Sequence, residues 1–347
     1  MTAGGTTLAL KAPYLVFIGD TKDAIYAKTG YGLVQWVPEK VVGQLRLPGC
    51  GVRLDVPEIT LQEAAERGAK SLIIAVAPVG GALPEHWNSV VLEAIALKMD
   101  IVAGLHSKLR ENPDFVAAAR EHGVDLIDVR VPPRGIPVGN GQKRSGRRIL
   151  TVGTDCAVGK KYTALAMARV MRDAGINATF RASGQTGIMI AGEGIPIDAV
   201  VADFISGAAE LLSPANDADH WDVVEGQGSL FNPGYAGVTL GLVHGSQPDA
   251  MILCHRADLE DIQGWPGYRM PPLDACLEAY ISAARLTNRA TRFIGVSINT
   301  SGLPADERRS YLESVANQLG LPCVDPISDG PGPIVEFLKK EFSGSAT

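Results

Sequence analysis

Along most of the chain, short apolar runs alternate with segments of helical spacing, and that rhythm admits few folds. In the first half the runs are YLVFIGD, SLIIAVAP, DIVAGL and VDLIDVR. They are too short for helices and too continuous for strands with one wet face. Between them lie TLQEAAERGA, PEHWNSVVLEAIALKM and NPDFVAAAREHG, with helix starts predicted at Thr60, Pro84 and Asn112. Strands buried on both faces and joined by helices require a parallel sheet covered on two sides. The rhythm stops over VPPRGIPVGNGQKRSGRR, residues 131–148, and then begins again. The later runs are RILTVGT, NATFRAS, WDVVEG, DAMILCH, RFIGVSINT and PCVDPIS, with helices predicted near 159–173, 197–212, 273–287, 304–319 and 332–342. A 347-residue chain with one such break predicts two α/β domains with parallel sheets, residues 1–138 and 139–347, joined by a basic Pro/Gly linker at 131–148.

Bulk properties narrow the partners. A hydrophobic content of 46% with 20% charged residues is ordinary for a soluble enzyme. The net charge of −6 argues against nucleic acid as a partner, because no global basic surface faces a phosphate backbone. The five cysteines are scattered and never in CxxC spacing, so neither a disulfide frame nor a metal site is expected. The first residues lack the basic start and apolar run of a signal peptide, and no run is long enough to span a membrane. A cytoplasmic location is the resulting expectation. The linker cations Lys143, Arg144, Arg147 and Arg148 read as solvated charge, with a border to the phosphate site downstream as the sharper alternative.

That phosphate site is GTDCAVGKKY, residues 153–162, between an apolar run and a helical segment. Strand, Gly-containing loop, Gly-Lys and helix form a phosphate cradle, because backbone amides and the helix N-terminus converge on one point. The loop departs from the nucleotide-hydrolysing standard in two ways. Five residues rather than four separate Gly153 from Gly159, and Lys161 stands where Ser or Thr would hold magnesium. A lysine repels a metal ion, so the loop (Gly153, Thr154, Asp155, Cys156, Ala157, Val158, Gly159, Lys160, Lys161, Tyr162) is expected to bind a cofactor diphosphate without metal. Cys156 reads as a small loop residue rather than a nucleophile.

Further candidates fall at later strand ends, where ligands of open α/β sheets collect. Arg181 suits a carboxylate, with Ser183, Gln185 and Thr186 beside it for substrate binding. Glu225 is the first candidate general base; His244, before the fourth strand of this half and flanked by Gly245, is the second, with His255 after that strand close behind. Glycines on both sides of Gln227 let the backbone amides from Gln227 to Ser229 approach a ligand, so they are candidates for stabilising an oxyanion. Asn299 is placed to read a cofactor's adenine.

With these residues assembled, VGQLRLPG, VGNGQKRSG, LTVGTDCAVGK, YTAL, RASGQTGI, VVADFISGAAE, LSPANDADHWDVVEGQGSLFNP and SINTSGL carry a resemblance over nearly the whole chain. The chain resembles the D-amino-acid N-acetyltransferase family typified by D-glutamate N-acetyltransferase. The resemblance implies a Rossmann-like N-terminal domain and a P-loop NTPase-like C-terminal domain. It also implies acetyl transfer from acetyl-CoA to the amine of a D-amino acid in D-amino-acid catabolism, coupled to an epimerase acting on the N-acetylated product. A homodimer is expected. The loop is also similar to that of dethiobiotin synthetase, in which a Thr occupies the position of Lys161. A magnesium-ATP-dependent ligase or kinase acting on a small carboxylate therefore stays open, as does a non-enzymatic nucleotide sensor.

Overall fold

A computed structural model describes residues 8–76, 78 and 81–343. Two compact units emerge, and neither is a continuous half of the chain. The first holds the chain through Pro133 together with Gly184–Ala199; the second holds Arg134–Ser183 and Val200 onward. The expected cut at 138/139 therefore misses a return segment of the second half that packs in the first unit.

In the first unit, β2 (Tyr14–Gly19), β3 (Val41–Arg46), β4 (Ser71–Ile74), β5 (Asp100–Ala103) and β6 (Leu126–Asp128) form one parallel sheet in the order β3-β2-β4-β5-β6. A two-residue strand, β1 (Leu8–Ala9), pairs antiparallel with β9 (Glu193–Gly194) of the return segment. The helices are α1 (Lys28–Trp36), α2 (Leu61–Glu66), α3 (Asn88–Ala96), α4 (Pro113–His122) and α6 (Gln185–Ala191). Two of the predicted starts are built as caps. Thr60 Oγ1 accepts from Glu63 N while Glu63 takes the Thr60 amide, a reciprocal capping box. Asn112 Oδ1 accepts from Asp114 N and Phe115 N, with Pro113 at the first helical position. Pro84 instead precedes a short 3-10 turn that runs into α3.

The second unit contains a six-stranded parallel sheet, ordered β13-β12-β11-β7-β10-β8. Its strands are β7 (Arg147–Gly153), β8 (Ala178–Arg181), β10 (Trp221–Val224), β11 (Ala250–Arg256), β12 (Arg292–Asn299) and β13 (Cys323–Val324). Its helices are α5 (Lys160–Asp173), α7 (Ile205–Leu212), α8 (Ala236–Ser246), α9 (Leu273–Ala284), α10 (Arg308–Leu319) and α11 (Gly332–Phe342). From β7 the chain lays β8 and β10 to one side, then β11, β12 and β13 to the other. The loop leaving β7 thus lies at the reversal of strand order, where an open α/β sheet presents a ligand crevice. Six strands and helices escaped the sequence reading: the two-residue strands β1 and β9, β3, whose apolar run is broken by Gly43 and Gln44, and the glycine-containing helices α1, α6 and α8.

Candidate active site

The loop from Gly153 to Lys160 folds as a backbone cradle. Ala157 (φ 53) and Gly159 (φ 106) are both left-handed, and alternating backbone hands of this kind turn successive amides toward one concavity. Gly159 then serves as the N-cap of α5, whose positive end faces the same concavity. Asp155, fully buried, fixes the loop's shape. Its carboxylate accepts from Cys156 N (2.6 Å), Asn232 Nδ2 (2.8 Å) and Gln263 N (2.7 Å), tying the cradle to the two loops after β10 and β11. Tyr280 adds a second stitch, donating to Gly153 O and accepting from Leu230 N.

Lys160 lies at the centre of this arrangement. The residue is 7% exposed, and its ammonium donates to the Asp155 carbonyl at 2.7 Å. Among the described residues no carboxylate stands within ion-pair distance of it. Burial accordingly pushes its pKa down, opposed in part by charges acting from farther off, Asp155 and Glu225 among them. A buried ammonium whose partner is a neutral carbonyl carries an uncompensated charge, and an incoming anion removes that cost. Lys161 follows on the first turn of α5, with its Nζ 4.3 Å from the centre of the Tyr162 ring. Cys156 is held high by burial, which leaves it a poor nucleophile.

Glu225 and Gln227 follow β10, the strand beside β7. Glu225 is buried and accepts from Ser183 N at 2.9 Å, while Ser183 Oγ donates to Glu225 O at 2.6 Å. Gln227 Nε2 donates to the same hydroxyl at 3.0 Å. Three predicted residues, Ser183, Glu225 and Gln227, thus meet in one hydrogen-bonded group at the C-terminal edge of the second sheet. His255, at the end of β11, joins the cradle from the other side through Nδ1 and Thr154 Oγ1 at 3.1 Å. Burial takes its pKa down to about 4, so the imidazole is neutral across ordinary pH.

Other sequence-predicted residues do different work. Arg181 turns onto buried Asp222, Nε to Oδ1 at 2.7 Å, which commits its guanidinium to an internal ion pair rather than a substrate carboxylate. His244 lies in the last turn of α8, just before β11 begins, and therefore at the sheet edge opposite the cradle. That position removes it as the second base. Gln185 and Thr186 begin α6 in the first unit, where Thr186 Oγ1 meets Thr29 Oγ1 at 2.9 Å. Ser229 is fully buried with its hydroxyl on Thr154 O, which staples its loop to the cradle. Asn299 uses its side-chain oxygen to accept from Ser301 N, forming a local turn.

Two of the four linker cations, Arg144 and Arg148, match neither of the linker's readings, while Lys143 is exposed. Arg148 is 1% exposed and Arg144 is largely buried, both at the edge where β7 begins. Arg148 donates to the carbonyls of Ser213, Arg144, Gly146, Ser145 and Pro214. Arg144 donates to Ser213 O and Gly245 O, clamping the ends of α7 and α8, and burial lowers its pKa to about 10. These arginines are structural, and they stand away from the phosphate cradle.

Comparison with known proteins agrees with this architecture. Residues 137–335 match a family described as a domain of unknown function (DUF1611_C), P-loop domain, and residues 45–132 match its partner, the DUF1611_N Rossmann-like domain. A D-glutamate N-acetyltransferase of Tritonibacter scottomollicae is 48% identical over 329 residues, covering 95% of this chain and 99% of that protein. One of a Pseudoalteromonas species is 44% identical over 331 residues, covering 95% and 100%. A crystal structure of a DUF1611 family protein from Anabaena variabilis superposes with a TM-score of 0.83 at 29% identity, covering 95% of this chain and 100% of that one.

Proposed function

The chain belongs to the DUF1611 family, and from that premise we propose that it is an N-acetyltransferase acting on a D-amino acid, D-glutamate first among them, with acetyl-CoA as donor. The near end-to-end identity with two proteins of that name supports the reaction. The observation that carries the choice of donor is Lys160, a buried ammonium awaiting an anion in a cradle followed by a second lysine. A diphosphate inside a cofactor suits that arrangement, since Lys161 replaces the hydroxyl that would ligate magnesium.

In this reading the CoA diphosphate rests on the 153–161 backbone and the two lysines. The substrate arrives as an ammonium ion and must lose a proton before it attacks. Glu225, positioned by the Ser183 amide one strand from the cradle, takes that proton. The free amine then attacks the thioester carbonyl; a C–N bond forms, the C–S bond breaks, and the departing thiolate takes up a proton. Backbone amides of Gln227–Ser229, opened by left-handed Gly228 (φ 64), stabilise the tetrahedral oxyanion. The product is an N-acetylated D-amino acid with its α-carbon unchanged, so an epimerase is the partner reaction for catabolism. A cytoplasmic homodimer completes the proposal.

The test mixes the protein with D-glutamate and acetyl-CoA in excess EDTA and follows free thiol. Steady thiol release with appearance of N-acetylglutamate is expected. No release, together with magnesium-dependent ADP formation from ATP, would replace this reading with the ATP-dependent ligase.

A further inference from the structure

The second unit carries a groove to which the proposed reaction gives no part. It lies between α10 and the loop after β13, with a volume of about 580 Å³, the size of a small-ligand site. Buried Asp325 fixes its mouth much as Asp155 fixes the cradle. Its Oδ2 accepts from Thr300 N (2.9 Å) and Thr300 Oγ1 (2.8 Å), which ties down the loop after β12. Its Oδ1 accepts from Ile327 N (3.0 Å) and Ser328 N (3.3 Å), which shapes the loop after β13.

The lining selects among ligands. Leu312, Ala316 and Val324 give an apolar wall. Four charged side chains also line the groove, and they balance: Arg308 and Arg309 against Glu313 and Asp329. Arg309 Nε donates to Glu313 Oε1 at 2.9 Å, and Arg308 donates to the Leu303 and Ser301 carbonyls at 3.1 and 3.3 Å. Asp329 is exposed, and its carboxylate takes a long bond from Asp325 N at 3.4 Å, which leaves it acceptor capacity for a ligand. A free anion would face two carboxylates, and a metal ion two guanidiniums. A neutral planar ring with an amino edge lays its face on the apolar wall and its edge on Asp329, without burying a charge.

Position supplies a second argument. β12 and β13 are the second and third strands from β7, with β11 between. At the usual strand spacing their ends stand about 10 and 14 Å from the end of β7, which feeds the phosphate cradle. A diphosphate on the cradle and a base in the groove are joined across that interval by one ribose.

We propose that this groove seats the adenine of the acetyl donor, its ring against Leu312, Ala316 and Val324 and its exocyclic amino group on Asp329. The assignment rests on the acetyl-CoA reading of the cradle and extends it to the base. Asp329 then replaces Asn299, whose side chain is turned onto Ser301 N, as the reader of adenine.

Calorimetric titration of the full-length protein in EDTA with CoA and with its inosine counterpart, in which an oxo group replaces the amino group, tests it. CoA should bind about tenfold more tightly, the scale of one hydrogen bond to a charged acceptor. Asp329→Asn, an exposed change whose amide can donate to the oxo group, should shrink that difference to about threefold or less. Ala316→Phe, on the half-exposed side of α10, fills the groove and should weaken CoA binding by about tenfold. Equal affinity of the unaltered protein for the two ligands, or a preference that survives Asp329→Asn, would overturn the adenine site and leave the acetyl-transfer reading standing. Undiminished CoA affinity in a folded Ala316→Phe protein would overturn it equally. Failure of CoA itself to bind would take down both.

Discussion

The two edges of the second sheet both bury cations, and they treat them in opposite ways. At the edge where the strands begin, Arg148 meets five carbonyls, and its own amide is held by the Asp249 carboxylate. At the edge where the strands end, Lys160 has one carbonyl. A guanidinium with many fixed acceptors is a finished structural joint, since its planar fork pre-organises several bonds at once. An ammonium with one acceptor is unfinished, and what completes it must come from solution. On the proposed reading, the same basic composition means stability at one edge and ligand capture at the other.

Mutations should separate the two edges by the sign of their effects. Arg148→Met should lower unfolding free energy by about 3–5 kcal/mol, because it strands the carbonyls that the guanidinium satisfied. Urea denaturation reads that loss, and activity per folded molecule should survive where the variant folds. Lys160→Met should do the reverse. Acetyl transfer should fall by about a hundredfold to a thousandfold, on the scale of losing one preorganised electrostatic contact. Its stability should hold or rise, because an uncompensated buried charge has been removed. A large loss of stability in Lys160→Met would erase the distinction between the edges.

Lys161→Thr sharpens the comparison on a smaller scale. It should raise the dissociation constant for acetyl-CoA by about threefold to tenfold, with no magnesium-dependent ATP hydrolysis gained. Appearance of such hydrolysis would show that the second lysine merely masks an ordinary nucleotide loop.

The smallest effect is a proton. Burial holds the Lys160 pKa below its ordinary value, and a bound diphosphate raises it again. Between those two values the complex keeps a proton that the free protein has lost. Binding should then take up protons and weaken as pH rises through that window. Calorimetry in buffers of different ionisation enthalpy measures the uptake directly. The unliganded protein should gain stability with pH over the interval below the ordinary lysine value, because there the unfolded chain binds more protons than the folded one.

What could be read in advance follows from how local each signal is. The apolar runs and capped starts at Thr60 and Asn112 are local, and the structure realises them. The phosphate loop was legible because glycines and lysines must sit at fixed spacing around a turn. Helices α6 and α8 were not, since GQTGIMIAG and AGVTLGLVHG carry loop-like glycine content. Their glycines answer to packing: a Cβ on Gly241 would lie 2.5 Å from Ile205. His244, read only as preceding a strand, lies in the last turn of α8 at the edge opposite the cradle. Arg181 failed for another reason. Its position on a strand was legible, but its direction depends on Asp222 of the neighbouring strand, a pairing that no spacing in the sequence announces.

The return segment limits how this protein can be divided by genetics. Helix α6 packs against α1, where Thr186 meets Thr29 and a Cβ on Gly32 would come within 3.2 Å of Ile190, while β9 completes a ladder with β1. A gene fragment ending at codon 133 encodes the first sheet without these pieces, and a fragment starting at codon 134 carries them with nothing to pack on. Neither sheet is a cassette that recombination can lift out at a single crossover. Exchange within such a lineage must replace both stretches together or leave the architecture whole.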